Sequence, residues 1–150
     1  MTTCLKFNIM ITEDYVSFET ACLLKDKGFD QKCEKVYMQG ELKWASCCME
    51  GESSVDREDI RLAANYENWI EYTQGDYAVL APTLNIALKW LREVHKIHIT
   101  VYPYGEHSCD NYQFDIYKNR EYLLSKDEGY MTNEQAIEAA IKYCLENLVK

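Results

Sequence analysis

With 150 residues, 47% of them hydrophobic and 13% aromatic, the chain is long enough to bury one core and too apolar to remain unfolded, so a single domain is expected. A net charge of −9 and a pI near 4.8 argue against direct nucleic-acid binding, because phosphates attract lysine and arginine and repel carboxylates. The opening MTTCLKFNIMI is too short and too weakly charged for a secretory signal, and no run approaches the roughly 18 apolar residues of a membrane span. Seven scattered cysteines without a C-x-x-C pair suit a reducing, cytoplasmic setting.

In chain order, VSFETACLLKDKG places Ser17 to cap a helix and Gly28 to end it in a left-handed turn, which predicts a helix from about Phe18 to Lys27. EKVYMQGELKW sets Gln-Gly between two short alternating runs, the pattern of a hairpin. From position 50 to 82, eight acids stand against Arg57 and Arg61, so six of the nine net negative charges fall there. Residues from about 50 to 81 thus read as an acidic, aromatic insertion in a single α+β domain. Pro82 and Thr83 open a second helix, whose Leu84, Ala87, Leu88, Leu91 and Val94 make one apolar stripe at helical spacing.

IHITVYPY and NYQFDIYKN both alternate, with GEHSCDN as the turn between them. Because a one-residue slip flips every side chain, antiparallel pairing at an index sum of about 215 sets Ile99 by Ile116 and Val101 by Phe114 inside, with His98 by Tyr117 and Thr100 by Asp115 outside. EYLLS is a candidate further strand. In TNEQAIEAAIKYCLENLVK, Thr132 and Gln135 have capping-box spacing, and Ile137, Ile141, Cys144 and Leu148 are expected to be buried. The expected architecture is α+β, with an antiparallel sheet of about four to five strands and three helices packed mainly on one face.

The phrases APTLNIALKWLREVHKIHITVYPY, YVSFETACLLKDKGFD and NEQAIEAAIKYCLENLV together cover about half of the chain. In them the sequence resembles a family of small proteins of gut anaerobic bacteria and their prophages, a family with no assigned activity. The helix-to-strand phrase is the specific part, and the acidic insertion is where the members are least alike. The resemblance implies a role in a phage or mobile element and brings no catalytic residues with it.

The residues themselves point the same way. No G-x-G-x-x-G, G-x-x-x-x-G-K-[ST], H-E-x-x-H or G-x-S-x-G occurs, and the 25 carboxylates of an acidic chain read as a solvated face rather than an acid/base pair. Cys47-Cys48 reads as two ordinary reduced thiols. His95-x-x-His98 and His107-x-Cys109 offer ligand types that zinc prefers, but at none of its usual spacings, so no metal and no cofactor is expected. His95 ends a helix, where a cation meets the C-terminal dipole favourably.

Tyrosine is in surplus, at 12 residues. ANYENWIEYTQGDYAV mixes Tyr66, Trp69, Tyr72 and Tyr77 with Glu67, Glu71 and Asp76, a composition of aromatic anchors whose flanking charge selects a partner; the alternative is a loop or short helix that tucks its rings onto the core. Trp90 flanks the apolar stripe of its helix, either packed at core or rim or left as an exposed anchor. The outer hairpin face of His98, Thr100, Tyr102, Gln113, Asp115 and Tyr117 is too aromatic for an indifferent wet surface and too polar for a second core. It is therefore expected to be covered by a second copy of the chain or by the acidic segment.

The candidate interaction surface is accordingly Tyr66, Trp69, Tyr72, Tyr77, Trp90, His98, Tyr102 and Tyr117. The expected function is that of a non-enzymatic interaction or accessory protein of a phage or mobile element, engaging a protein partner or forming a homodimer, and no membrane. Two alternatives stand beside it: an acidic DNA-mimic decoy that occupies a DNA-binding protein, and a small enzyme with a concave pocket of convergent polar groups.

Overall fold

The computed structural model describes residues 11–38, 40–44, 78–105 and 111–150. The opening segment, Cys47-Cys48, most of the acidic insertion and the His107/Cys109 turn lie outside the described residues.

Three hydroxyl side chains set the helix starts. Ser17 Oγ accepts from the Thr20 N–H (3.2 Å) at the head of α1 (Phe18–Asp26), Thr83 Oγ1 from the Ile86 N–H (3.3 Å) at α2 (Leu84–His95), and Thr132 Oγ1 from the Gln135 N–H (3.1 Å) at α3 (Asn133–Asn147). Each satisfies a donor that the helix itself cannot, worth about 1 kcal/mol. Gln135 reaches back, its Oε1 accepting from the Met131 N–H at 3.1 Å, so both halves of the expected box are present, one residue displaced. Gly28, at φ +81°, turns the chain out of α1 as expected.

Six strands are described: β1 (Lys35–Met38), β2 (Glu41–Trp44), β3 (Ala78–Ala81), β4 (Ile97–Tyr104), β5 (Asn111–Lys118) and β6 (Glu121–Tyr130). They form two antiparallel sheets of three strands, ordered β2-β1-β3 and β4-β5-β6, which corrects the expectation of one sheet of about four to five strands. The difference begins at β3. Its AVLA is a short apolar run with no period of its own, and it becomes a strand by pairing with β1, Lys35 opposite Ala81 and Met38 opposite Ala78. The Val16 N–H to Pro82 O and Leu84 N–H to Asp14 O bonds (3.1 and 2.9 Å) then bind the entry to α1 alongside the entry to α2.

The β1–β2 hairpin turns at Gly40, whose φ of +79° is the left-handed conformation that the Gln-Gly signal anticipated. The β4–β5 register is the expected one, with His98 opposite Tyr117, Ile99 opposite Ile116, Thr100 opposite Asp115 and Val101 opposite Phe114. The β6 strand runs well beyond EYLLS, and its register against β5 shifts twice, once where Leu123 is left unpaired between the Tyr117–Tyr122 and Ile116–Leu124 pairs.

One core joins these elements, with Leu24, Val36, Leu91, Ile97, Phe114, Ile116, Ile141 and Leu145 buried in it. α2 packs on β4, α3 on β4 and β5, and α1 on β3 and α3, so the helices serve both sheets rather than one face of one sheet. Two packing expectations are corrected. In α2, Val94 is 55% exposed instead of buried with the stripe, while Trp90 takes the core-packed one of its two expected placements, 5% exposed with its ring against the edge of Phe29 at 5.4 Å. In α3, Ile137 and Leu148 are only partly covered, and Ala136, Ala140 and Leu145 are buried with Ile141 and Cys144. The small alanines let neighbouring elements approach the helix closely.

Candidate interaction surface

Pleating sends alternate residues of β4, β5 and β6 to opposite faces. The inner face is closed: Ile97, Phe114 and Ile116 are buried under α2 and α3. The outer face carries a row of His98, Tyr117 and Tyr122 across the three strands, and beside it a row of Thr100, Asp115 and Ser125. His98 and Thr100 are exposed, while Tyr102 and Tyr117 are half-buried by neighbours in the same sheet. The Tyr102 hydroxyl donates to Asp115 Oδ1 at 3.2 Å along the cross-strand diagonal, and the Tyr117 and Tyr122 rings meet edge to face at 5.6 Å. Tyr122 remains 57% exposed and Leu123 41%.

Of the residues singled out in the sequence, the structure therefore brings His98, Tyr102 and Tyr117 onto one face. Trp90 is not an exposed anchor, being buried beneath α2, and Tyr66, Trp69, Tyr72 and Tyr77 lie outside the described residues. Sequence reading missed Tyr122 and Leu123. The bulge at Leu123 interrupts the period-two alternation on which that reading depends, and no other local signal marks the pair.

His95 differs from its expected role. Its ring packs edge-on to Trp90 at 4.5 Å, and burial first, then the Lys118 ammonium, holds the imidazole below its ordinary pKa, which favours the neutral form over the cation that the helix dipole would attract. Its Nε2 is buried with no hydrogen-bond partner among the described residues. The thiols of Cys33 and Cys144 sit in the core, where burial pushes both up to about 12, with Lys118 opposing the shift at Cys144. Tyr130 is likewise pushed up to about 12 by burial and by its hydrogen bond to Glu128. Among the described residues, no three His, Cys, Asp or Glu side chains gather closely enough to hold a metal ion. No helix among them is long and apolar enough to cross a membrane.

No family model matches the sequence, and neither the comparison with curated proteins nor that with solved structures found a match.

Proposed function

We propose that the protein is a non-catalytic interaction protein of a phage or mobile element, and that the outer face of β4-β5-β6 docks a second copy of the chain. The observation that carries this reading is the His98–Tyr117–Tyr122 row, extended by Tyr102, on a sheet face opposite the one that α2 and α3 cover. Tyrosine gives a large, rigid contact area with a polar tip, the residue type enriched at protein interfaces, and two-fold dimers are the commonest assemblies. Among the described residues, the groups shifted most strongly, Cys33, Cys144 and Tyr130, are spread through and against the core rather than converging in a cleft, which supports binding over catalysis.

Light scattering coupled to size exclusion tests the reading. The wild-type chain should elute as a dimer, and the double substitution Tyr102→Ser with Tyr117→Ser should convert it to a folded monomer. A wild-type monomer at every concentration would remove the dimer, and robust turnover of a hydrolase, transferase or nucleotide substrate, abolished by one point substitution, would remove the non-catalytic reading as a whole.

A further inference from the structure

A shallow depression of 520 Å³ lies where the last turn of α2 meets the β5–β6 turn, lined by Arg92, Glu93, Lys96, His98, Asn119 and Arg120. Its size is that of a small-molecule site. We propose that this depression binds a phosphate group, free or at the end of a small phosphomonoester.

Charge is the first argument. In a chain with 25 acids and 16 bases, three cations line one concave spot, against the single carboxylate of Glu93. Glu93 Oε1 accepts from Arg92 Nε at 3.3 Å, and the Glu93 carbonyl accepts from Lys96 Nζ at 2.7 Å, which steadies both cations while leaving the Lys96 ammonium two further donors. Arg120 has no hydrogen-bond or salt-bridge partner among the described residues, so its guanidinium fork is available for a two-pronged contact with phosphate oxygens. The neighbouring Lys118 is turned elsewhere, donating to the Leu148 carbonyl at 2.8 Å, and Glu121 lies across the strands from Lys118.

Backbone conformation is the second argument. Among the described residues, left-handed backbone occurs at four glycines, Gly28, Gly40, Gly105 and Gly129, and at three other residues, Lys96 (φ +57°), Asn119 (φ +52°) and Arg120 (φ +70°). All three of the latter line this depression. A two-residue turn with both φ values positive favours Asn-Gly, and here arginine occupies the glycine place. The Asn119 N–H donates to the Lys96 carbonyl at 3.1 Å, joining the two strained turns into one unit. Asparagine adopts this backbone readily, but at Lys96 and Arg120 it costs energy, and such strained residues cluster at functional sites. The net charge of −9 disfavours a long polyanion, so a single small phosphate is the ligand assigned.

The test is titration of the isotope-labelled full chain with inorganic phosphate, phenyl phosphate, acetate and a single-stranded oligonucleotide, followed by amide shifts. Both phosphate probes should produce saturable shifts at residues 92, 96, 98, 119 and 120, with a Kd of about 1 mM or tighter, and acetate should bind about tenfold more weakly. Tighter binding of phenyl phosphate assigns an ester as the ligand, and equal binding assigns the free ion. Arg120→Gly and Lys96→Gly each place glycine on left-handed backbone, so the Tm should hold or rise while phosphate affinity falls about tenfold. The proposal is overturned by absent or unsaturable shifts, by equal affinity for acetate, by an Arg120→Gly variant that binds like the wild type, or by an oligonucleotide that binds more tightly than phenyl phosphate.

Discussion

Protonation at two buried thiols and one partly buried imidazole shapes how stability responds to pH. Cys33 and Cys144 keep their protons to about pH 12 in the folded chain, whereas unfolded thiols titrate near 8.5, so above that value the unfolded state has lost protons that the folded state still holds. Stability therefore falls as pH rises through that interval. His95 works in the opposite direction, since its folded value is lowered by burial and by Lys118; below about 6.5 the unfolded chain binds a proton that the folded chain resists, and stability falls as pH drops. Thermal denaturation should thus trace a dome with its top between about pH 6.5 and 8.5. His95→Phe fills the same space against Trp90, removes the unpartnered Nε2 and should flatten the decline between pH 7 and about 5.5; an unchanged decline would assign it to other groups. Native Cys33 and Cys144 should also escape thiol labelling at pH 8 and react once the chain is unfolded, as read by mass spectrometry.

At the scale of the element, the orientation of α2 and the anchoring of α1 are both open to substitution. Trp90→Ala empties space against Phe29 and should cost about 3–5 kcal/mol, while Val94→Lys, on the exposed side, should stay within about 0.5 kcal/mol of wild type in urea denaturation. The reverse ranking would place the aliphatic stripe inward after all. Ser17 has two duties. Its Oγ caps α1, and its hydroxyl and N–H both donate to Glu138 Oε1 on α3, at 2.6 and 3.0 Å. Ser17→Ala removes the cap and one strand of that brace together, an expected loss of about 1–2 kcal/mol, and Glu138→Gln, which keeps an acceptor, should lose less. A Ser17→Ala midpoint equal to wild type would show that the brace is idle.

For the whole molecule, the two sheets have different standing. The β2-β1-β3 sheet gives Val36 and Leu80 to the core while its edge strand β2 is exposed along its length, and the β4-β5-β6 sheet has one face closed by α2 and α3 and one open face. Tyr102 and Tyr117 lie on that open face, bonded to Asp115 and packed against the Tyr122 ring, so replacing both with serine should leave folding largely intact. If a second copy covers the face, the wild-type Tm rises with protein concentration, by mass action, and that of the double variant does not. Parallel, concentration-independent curves for both proteins would sink the dimer.

Much of this architecture was legible in the amino-acid order, for local reasons. The caps at Ser17, Thr83 and Thr132 depend on a hydroxyl three residues ahead of an orphan N–H, and the β4–β5 register depends on a period of two that tolerates no slip. The outer-face positions of His98, Tyr102 and Tyr117 follow from that same alternation. Tertiary structure alone decided the rest. β3 exists because β1 offers it an edge, Val94 is left exposed because the buried arc of α2 turns to Trp90 against Phe29, and Tyr122 joins the aromatic row only after a bulge has reset the register of β6. Most distant from the sequence is the basic depression. Arg92, Lys96 and Arg120 line one depression because two turns, left-handed without glycine, are tied by the Asn119 to Lys96 hydrogen bond; Asn119 is a local signal for its turn, but the left-handed backbone at Lys96 and Arg120 and the contact between the turns have none.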